Sequence, residues 1–137
     1  MPTLQANGLT LDYELRGDPA APPLLLVMGL GMPSALWPDE FVQALVDQGL
    51  RVLTFDNRDC GGSTRLEGVP VPNVLRAIAR ALLRRPVTAP YRLEDMAADT
   101  VGLLDALGLE RVHVVGASMG GMIGQVLAAQ HPERVLS

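Results

Sequence analysis

The sequence predicts an α/β protein with a mostly parallel sheet of about five strands, an N-terminal antiparallel hairpin and helices on both faces. Short apolar runs alternate with amphipathic helical stretches, a pattern typical of parallel strands joined by crossover helices. Ahead of them, two alternating segments flank Asn7-Gly8, a dipeptide that favours a tight hairpin turn. With 137 residues, of which 48% are hydrophobic, the chain is expected to form a single domain, residues 1–137.

The elements follow from the spacing of apolar residues along the chain. The predicted strands are Thr3–Ala6, Leu9–Arg16, Leu24–Met28, Arg51–Phe55 and Arg111–Val115. The predicted helices are the stretch from Pro38 to Gly49, Asn73–Arg85, Leu93–Leu107 and Met119–Gln130. Parallel α/β sheets bind ligands beyond the carboxyl ends of their strands. The glycine-bearing loops 29–34, 56–64 and 116–121 are therefore the candidate site.

Composition narrows the classes of partner. The net charge of −4 argues against nucleic acid and anionic lipid. The longest apolar run, Pro22 to Pro33, is shorter than the roughly 20 residues of a membrane span, and the N-terminus lacks the features of a signal peptide. We expect a cytoplasmic protein with no nucleic-acid and no membrane partner.

Neither a metal nor a cofactor is expected. The one cysteine, Cys60, excludes an internal disulfide and a cysteine-based metal cluster, and no His/Cys/Asp/Glu group has metal-ligand spacing. The glycines also fail the dinucleotide fingerprint Gly-x-Gly-x-x-Gly, because Gly29-Leu30-Gly31 is followed by Ser34 at the third position. Cys60 is not expected to act as a nucleophile, because no neighbouring residue in the sequence would lower its pKa.

The segment 116–120, Gly-Ala-Ser-Met-Gly, has the spacing of a nucleophile elbow between a strand and a helix. A serine that projects from a sharp turn needs neighbours without side chains, which Gly116 and Gly120 provide, and Gly121 gives the helix clearance above the sheet. The helix that follows directs its free N–H groups toward the serine. Ser118 is therefore the candidate catalytic nucleophile.

Two backbone N–H groups are candidates for an oxyanion hole. The first belongs to Met119, at the start of the helix after the serine. The second is expected from the loop that follows the first parallel strand. There Gly29 and Gly31 let the backbone turn, and the Leu30 N–H is the candidate donor. The residues thus indicate attack of a serine on a carbonyl carbon, with the developing negative charge held by amides.

Five segments carry a resemblance to a known family: Met28–Gly31, Trp37–Phe41, Phe55–Thr64, Leu93–Thr100 and Val112–Gly121. Together they resemble the serine α/β-hydrolase superfamily, in its bacterial aclacinomycin-methylesterase-like branch. The resemblance implies a truncated α/β-hydrolase fold, the N-terminal half only, and carboxyl-ester hydrolysis by Ser, acid and His in that chain order. It also implies that the cap, the catalytic acid and the histidine lie beyond Ser137, and that the loop Asp56–Thr64 is mostly structural.

The two histidines are not expected to serve as the base. His113 precedes Ser118 by five strand residues, about 16 Å. His131 lies at the far end of the helix after Met119, about 18 Å away. A general base must approach the serine to about 3 Å. We expect His113 to pack in its strand and His131 to lie at a helix end, so base and acid are not present in cis.

Two functions remain open. The first is a carboxylester hydrolase that acts on a small ester through Ser118. The second is a non-catalytic truncated hydrolase that oligomerises through an exposed sheet edge. An apolar strand at Arg111–Val115 without an outer partner is a template for another chain. We expect a homodimer, or association with a chain carrying the C-terminal half, at this strand, with residues 135–137 exchanged between subunits. For Asn73–Arg85 we expect a solvated basic face and an apolar stripe in the core or a dimer contact.

Overall fold

The computed structural model describes residues 1–68, 73–87 and 89–137. Its strands are β1 (Thr3–Ala6), β2 (Leu9–Arg16), β3 (Pro23–Val27), β4 (Arg51–Phe55) and β5 (His113–Gly116). Its α-helices are α1 (Asp39–Asp47), α2 (Val74–Leu82), α3 (Leu93–Ala106) and α4 (Met119–Gln130), with 3₁₀ turns at Ser34–Leu36 and Pro132–Arg134. The predicted elements are confirmed, with small shifts at their ends.

One sheet carries all five strands in the order β1-β2-β4-β3-β5. The hairpin β1–β2 turns at Asn7 and Gly8, which have φ of 48° and 76°, as the dipeptide predicts. β2 is antiparallel to both β1 and β4, whereas β3 is parallel to both β4 and β5. The predicted fold class is therefore confirmed: an antiparallel hairpin joins a parallel part, β4-β3-β5, which carries the three glycine-bearing loops.

The two faces of the sheet bury different helices. Toward α1, Leu24 and Leu26 of β3 and Val52 of β4 pack with Val42. The opposite face packs against α3 and α4; its fully buried members include Leu25, Val27, Leu53, Phe55, Leu103, Ile123 and Leu127. Successive strand residues point to opposite faces, so a strand covered on both sides needs the continuous apolar run seen in β3. Helices on both faces were predicted and are present.

The outer edge of β5 differs from the expectation of an unpaired strand. The Val112 N–H donates to the Arg134 carbonyl at 3.0 Å, the Leu136 N–H donates to the Val112 carbonyl at 2.8 Å, and the Val114 N–H donates to the Ser137 carbonyl at 2.9 Å. The chain's own last residues thus cover the backbone on which partner pairing along Arg111–Val115 was expected. Association with a second copy, or with a chain carrying the C-terminal half, remains a prediction.

Helix α2 presents apolar side chains to solvent, so of the two places expected for this stripe the core is wrong and a dimer contact remains a prediction. Leu75 and Leu82 are 79% and 80% exposed, and Ile78 between them is 51% exposed. The helix ends before Arg85 because Arg84 has a positive φ of 51°, which an α-helix does not accommodate. No helix among the described residues is long and apolar enough to cross a membrane.

A buried ion pair attaches the loop after β4 to α3. The Arg58 guanidinium donates to both carboxylate oxygens of Asp99 at 2.6 and 2.7 Å, and the Asn7 amide donates to the same carboxylate at 2.7 Å. The hydrogen bonds from Arg58 to Asp99 raise the pKa of the guanidinium. Arg58 also lies 5.0 Å from the ring centre of Tyr91, whose pKa burial raises to about 12. This network fixes one end of the loop that borders the candidate site.

Candidate functional site

Ser118 lies on a sharp turn between β5 and α4, at the carboxyl edge of the sheet. Its φ of 53° and ψ of −119° lie in a backbone region where a non-glycine residue is strained by about 1–3 kcal/mol. Neighbouring hydrogen bonds hold the turn: the Ala117 N–H donates to the Val27 carbonyl and the Gly121 N–H to the Ser118 carbonyl, both at 2.9 Å. The side chain is exposed. The turn therefore directs a hydroxyl into solvent at the N-terminus of a helix.

Two of the three elbow glycines are required by close backbone contacts. A Cβ at Gly116 would lie 2.3 Å from the Gly120 carbonyl carbon, and a Cβ at Gly120 would lie 2.1 Å from the Val27 carbonyl oxygen. Both distances are far below van der Waals contact with backbone atoms that cannot move independently. At Gly121 the nearest atom would be 3.3 Å away, a tight contact that the helix can absorb. Gly116 and Gly120 thus let α4 begin directly against β3.

The predicted oxyanion loop lies beside the serine. A Cβ built at Gly29 would be 3.3 Å from the Ser118 Cβ, so the backbone at the end of β3 passes directly by the elbow. Gly31 has a φ of 65°, which lets the loop turn away after Leu30. Among the described residues, the N–H groups of Leu30 and Met119 donate no backbone hydrogen bond. Both candidate donors are therefore available to a ligand.

Two buried polar residues that the sequence did not single out as site residues flank this loop. Asp56 and Asn57 directly follow β4, and each is 4% exposed. One Asp56 carboxylate oxygen accepts the Ser34 N–H at 2.6 Å and the other accepts the Gly62 N–H at 2.9 Å. The Asn57 amide donates to the Met28 carbonyl at 3.1 Å. These hydrogen bonds connect the loop Asp56–Thr64 to the loop beside Ser118, and the structural role that the resemblance implied stays a prediction. A polar pair directly after an apolar strand was the available signal.

An aromatic pair, Trp37 and Phe41, follows the 3₁₀ turn that ends at Leu36. The Trp37 N–H donates to the Ser34 carbonyl at 3.0 Å, which closes the 3₁₀ turn. The indole stacks on Phe41 of α1 with ring centres 5.6 Å apart. The segment after the oxyanion loop is thereby packed onto the helix below it.

The two histidines occupy the predicted elements, one on a strand and one at the end of a helix. His113 is on β5, with its Nδ1 2.8 Å from the Ser137 Oγ. His131 follows the last residue of α4, with its Nδ1 3.7 Å from a Glu133 carboxylate oxygen. Within the described ranges, no group of three or more His, Cys, Asp or Glu side chains could hold a metal ion.

Cys60 lies in the loop after β4 and is 5% exposed. Burial, and secondarily the charge of Asp56, raises the pKa of its thiol, so little reactive thiolate forms at neutral pH. We expect a disulfide reagent such as 5,5′-dithiobis(2-nitrobenzoate) to modify the folded chain at least about 100-fold more slowly than free cysteine. The absorbance of the released thiolate measures the rate, and the unfolded chain in guanidinium is the control. Rapid modification of the folded chain would contradict this.

The fold is that of the α/β-hydrolases. It has a parallel sheet part made of β3, β4 and β5, helices on both faces, and a strained strand–serine–helix turn. Residues 22–137 match the family model described as alpha/beta hydrolase fold, and the chain belongs to that family. It is 38% identical over its whole length to the rhodomycin D methylesterase DnrP of Streptomyces peucetius. It is 35% identical, over 94% of its length, to the putative carbamate hydrolase RutD of Variovorax paradoxus.

A solved structure supports the same assignment. The enol-lactonase from Burkholderia xenovorans LB400 superposes with a TM-score of 0.75 at 31% identity, over 98% of this chain and 44% of that one. The chain spans 41% of the length of both the methylesterase and the carbamate hydrolase. The resemblance to methylesterase-like α/β-hydrolases is therefore confirmed for the N-terminal part of that fold.

Proposed function

We propose that this chain supplies the nucleophile and oxyanion hole of a serine hydrolase that cleaves small carboxylic esters. The observation that carries the proposal is the strained, exposed Ser118 at the start of α4, with a φ of 53°. A residue held in a costly conformation persists only where the surrounding contacts impose it, and such positions cluster at active sites. Here Gly116 and Gly120 permit the close packing around the turn, because a Cβ at either position would clash with backbone atoms.

The chemistry follows from the groups around that serine. The Ser118 Oγ attacks the ester carbonyl carbon while its proton passes to a histidine base. The carbonyl oxygen becomes an anion that accepts hydrogen bonds from the Met119 and Leu30 N–H groups. Collapse of the adduct expels the alcohol, which takes the proton from the histidine. Water then cleaves the acyl-serine by the same steps and releases the carboxylic acid.

The base and the acid of this mechanism come from outside the 137 residues. His113 is engaged with Ser137 beside β5, and His131 lies beyond the last turn of a twelve-residue helix that starts at Met119, roughly 18 Å along its axis. Neither meets the approach of about 3 Å that proton transfer requires. We propose that the histidine and acid are carried by further residues of a longer protein or by a second chain.

The similarity to a methylesterase over the whole chain supports an ester as the substrate. The similarity to a putative carbamate hydrolase supports a carbamate as the second substrate to assay, because its carbonyl carbon would be attacked in the same way. An ester is preferred because the methylesterase similarity is the more extensive. The reaction as written needs only the ester and water, and no cofactor enters it.

Covalent labelling tests the proposal. The protein encoded by the complete reading frame is incubated with a fluorophosphonate, which phosphorylates an activated serine with loss of fluoride, and the labelled peptide is located by mass spectrometry. We expect stoichiometric labelling at Ser118, because the elbow and the base activate that hydroxyl. Ser137 is the matched control, since it is also exposed, and it should stay unlabelled. Equal labelling of the Ser118→Ala variant would overturn the proposal.

A further inference from the structure

We infer that Asn57 is a positioning residue for the oxyanion hole, whose amide holds the Met28 carbonyl and so orients the Leu30 N–H. The inference rests on the proposed function, because it concerns a donor of that reaction. Asn57 does not touch the substrate. It acts through the backbone of the loop beside Ser118.

Met28 lies beyond the end of the strand ladder. The parallel pairing of β3 with β4 ends at Leu26 and Thr54, so the backbone at Met28 is past its last ladder partner. Met28 is itself only 5% exposed, and a buried carbonyl needs a donor. The Asn57 side chain supplies it at 3.1 Å. The Asn57 side-chain amide thus binds the first backbone carbonyl beyond the strand pairing, that of Met28, the residue before Gly29.

The other end of the loop, at Ser34, is held by Asp56, the residue before Asn57. The Asp56 carboxylate accepts the Ser34 N–H at 2.6 Å. Within the loop from Met28 to Ser34, the Met32 N–H donates a further hydrogen bond to the Gly29 carbonyl at 3.3 Å. The loop is therefore fixed at both ends, with Leu30 near its middle.

The Leu30 N–H itself has few contacts that could orient it. Leu30 is 70% exposed, and within the described residues its N–H donates no backbone hydrogen bond. Its own surroundings therefore do little to orient it. An oxyanion donor is effective only when its direction is set before the charge develops. The two buried anchors supply that direction, and the anchor at Met28 is the one nearer to Leu30 in the chain.

Asn57 allows a cleaner test than Asp56. The Asp56 carboxylate also accepts the Gly62 N–H, so its replacement would disturb the loop after β4 as well. The Asn57 amide donates only to Met28 in the described part of the chain. Asn57→Ala removes the donor, whereas Asn57→Asp keeps the size and places carboxylate oxygens against the Met28 carbonyl. Asn73→Ala is the matched control, because the exposed Asn73 side chain accepts the Arg76 N–H at 3.0 Å to cap α2.

The experiment uses the complete protein and measures kcat and KM for p-nitrophenyl butyrate, together with inhibition by phenylboronic acid. That inhibitor binds the serine oxygen through boron and forms a tetrahedral anion, which requires the same donors as the transition state. Loss of one donor costs about 10²–10³ in rate, so its misalignment should cost kcat about 10- to 100-fold. We expect Asn57→Ala to show that loss with KM within about twofold, and to weaken boronate binding by a similar factor.

The outcomes separate the possible failures. Asn57→Asp should be at least as impaired as Asn57→Ala, because it adds repulsion to the loss of the donor. Asn73→Ala should lower the melting temperature without changing kcat or boronate affinity. If Asn57→Ala behaved like Asn73→Ala, its role would be structural and the inference would be overturned. If Ser118→Ala retained the full rate, the proposed function would fail instead.

Discussion

Replacing Ser118 by alanine is expected to lower kcat/KM of the complete protein for p-nitrophenyl butyrate by about 10⁴-fold or more. The alanine leaves the elbow and both candidate donor N–H groups in place but removes the oxygen that forms the acyl intermediate. The remaining rate comes from binding and the oxyanion hole alone, which typically give about 10³–10⁴ over water. Release of p-nitrophenolate measures the rate.

Two further variants control this experiment. Ser137→Ala makes the same chemical change at another exposed serine and should leave the rate unchanged. Ser118→Gly should be as inactive as Ser118→Ala. Its free energy of unfolding should be about 1 kcal/mol higher than that of Ser118→Ala, because glycine adopts the positive φ of 53° without strain. An alanine variant with the rate of the unmodified protein would exclude Ser118 as the nucleophile.

Gly120→Ala is expected to destabilise the fold by about 4 kcal/mol or more, or to prevent folding. The new Cβ would lie 2.1 Å from the Val27 carbonyl oxygen and 2.6 Å from its carbonyl carbon. Both atoms belong to a strand that is paired on both sides and buried, so neither can move without displacing the sheet or α4. The free energy of unfolding in urea, followed by circular dichroism, measures the effect.

Gly121→Ala is the matched control in the same helical turn. Its Cβ would lie 3.3 Å from the Gly116 carbonyl oxygen, and alanine gains about 1 kcal/mol in helix propensity over glycine. We expect a net change within about 1 kcal/mol. Equal stability of the two variants would show that α4 can shift away from β3, contrary to the close contact in the structure.

The features that could be predicted are those encoded in neighbouring residues. The hairpin at Asn7-Gly8 follows from the left-handed conformations that this dipeptide accepts, and the buried strands follow from continuous apolar runs. The elbow follows from glycines spaced two residues either side of Ser118, because local steric need dictates that spacing. The family resemblance rested on the same segments, and the comparisons with known proteins confirm it.

The features that could not be predicted depend on residues brought together by the fold. Asn57 and Met28 are 29 positions apart, and Arg58 and Asp99 are 41 apart, so no local pattern indicates either contact. The expected open edge of β5 was wrong for the same reason: residues 134–137 return beside it only after α4 reverses the chain. The spacing of apolar residues in α2 is typical of a helix with a buried face. Their exposure depends on where the other elements lie, which the spacing does not indicate.

The stacking of Trp37 on Phe41 has a practical consequence. Trp37 is the one tryptophan in the chain, and it lies three residues after Ser34, whose N–H the Asp56 carboxylate accepts. Indole emission shifts with its surroundings, so the tryptophan fluorescence of these 137 residues reports on this junction. Binding of an inhibitor beside Ser118, or loosening of the loop in a variant, can thus be followed optically without attaching a dye.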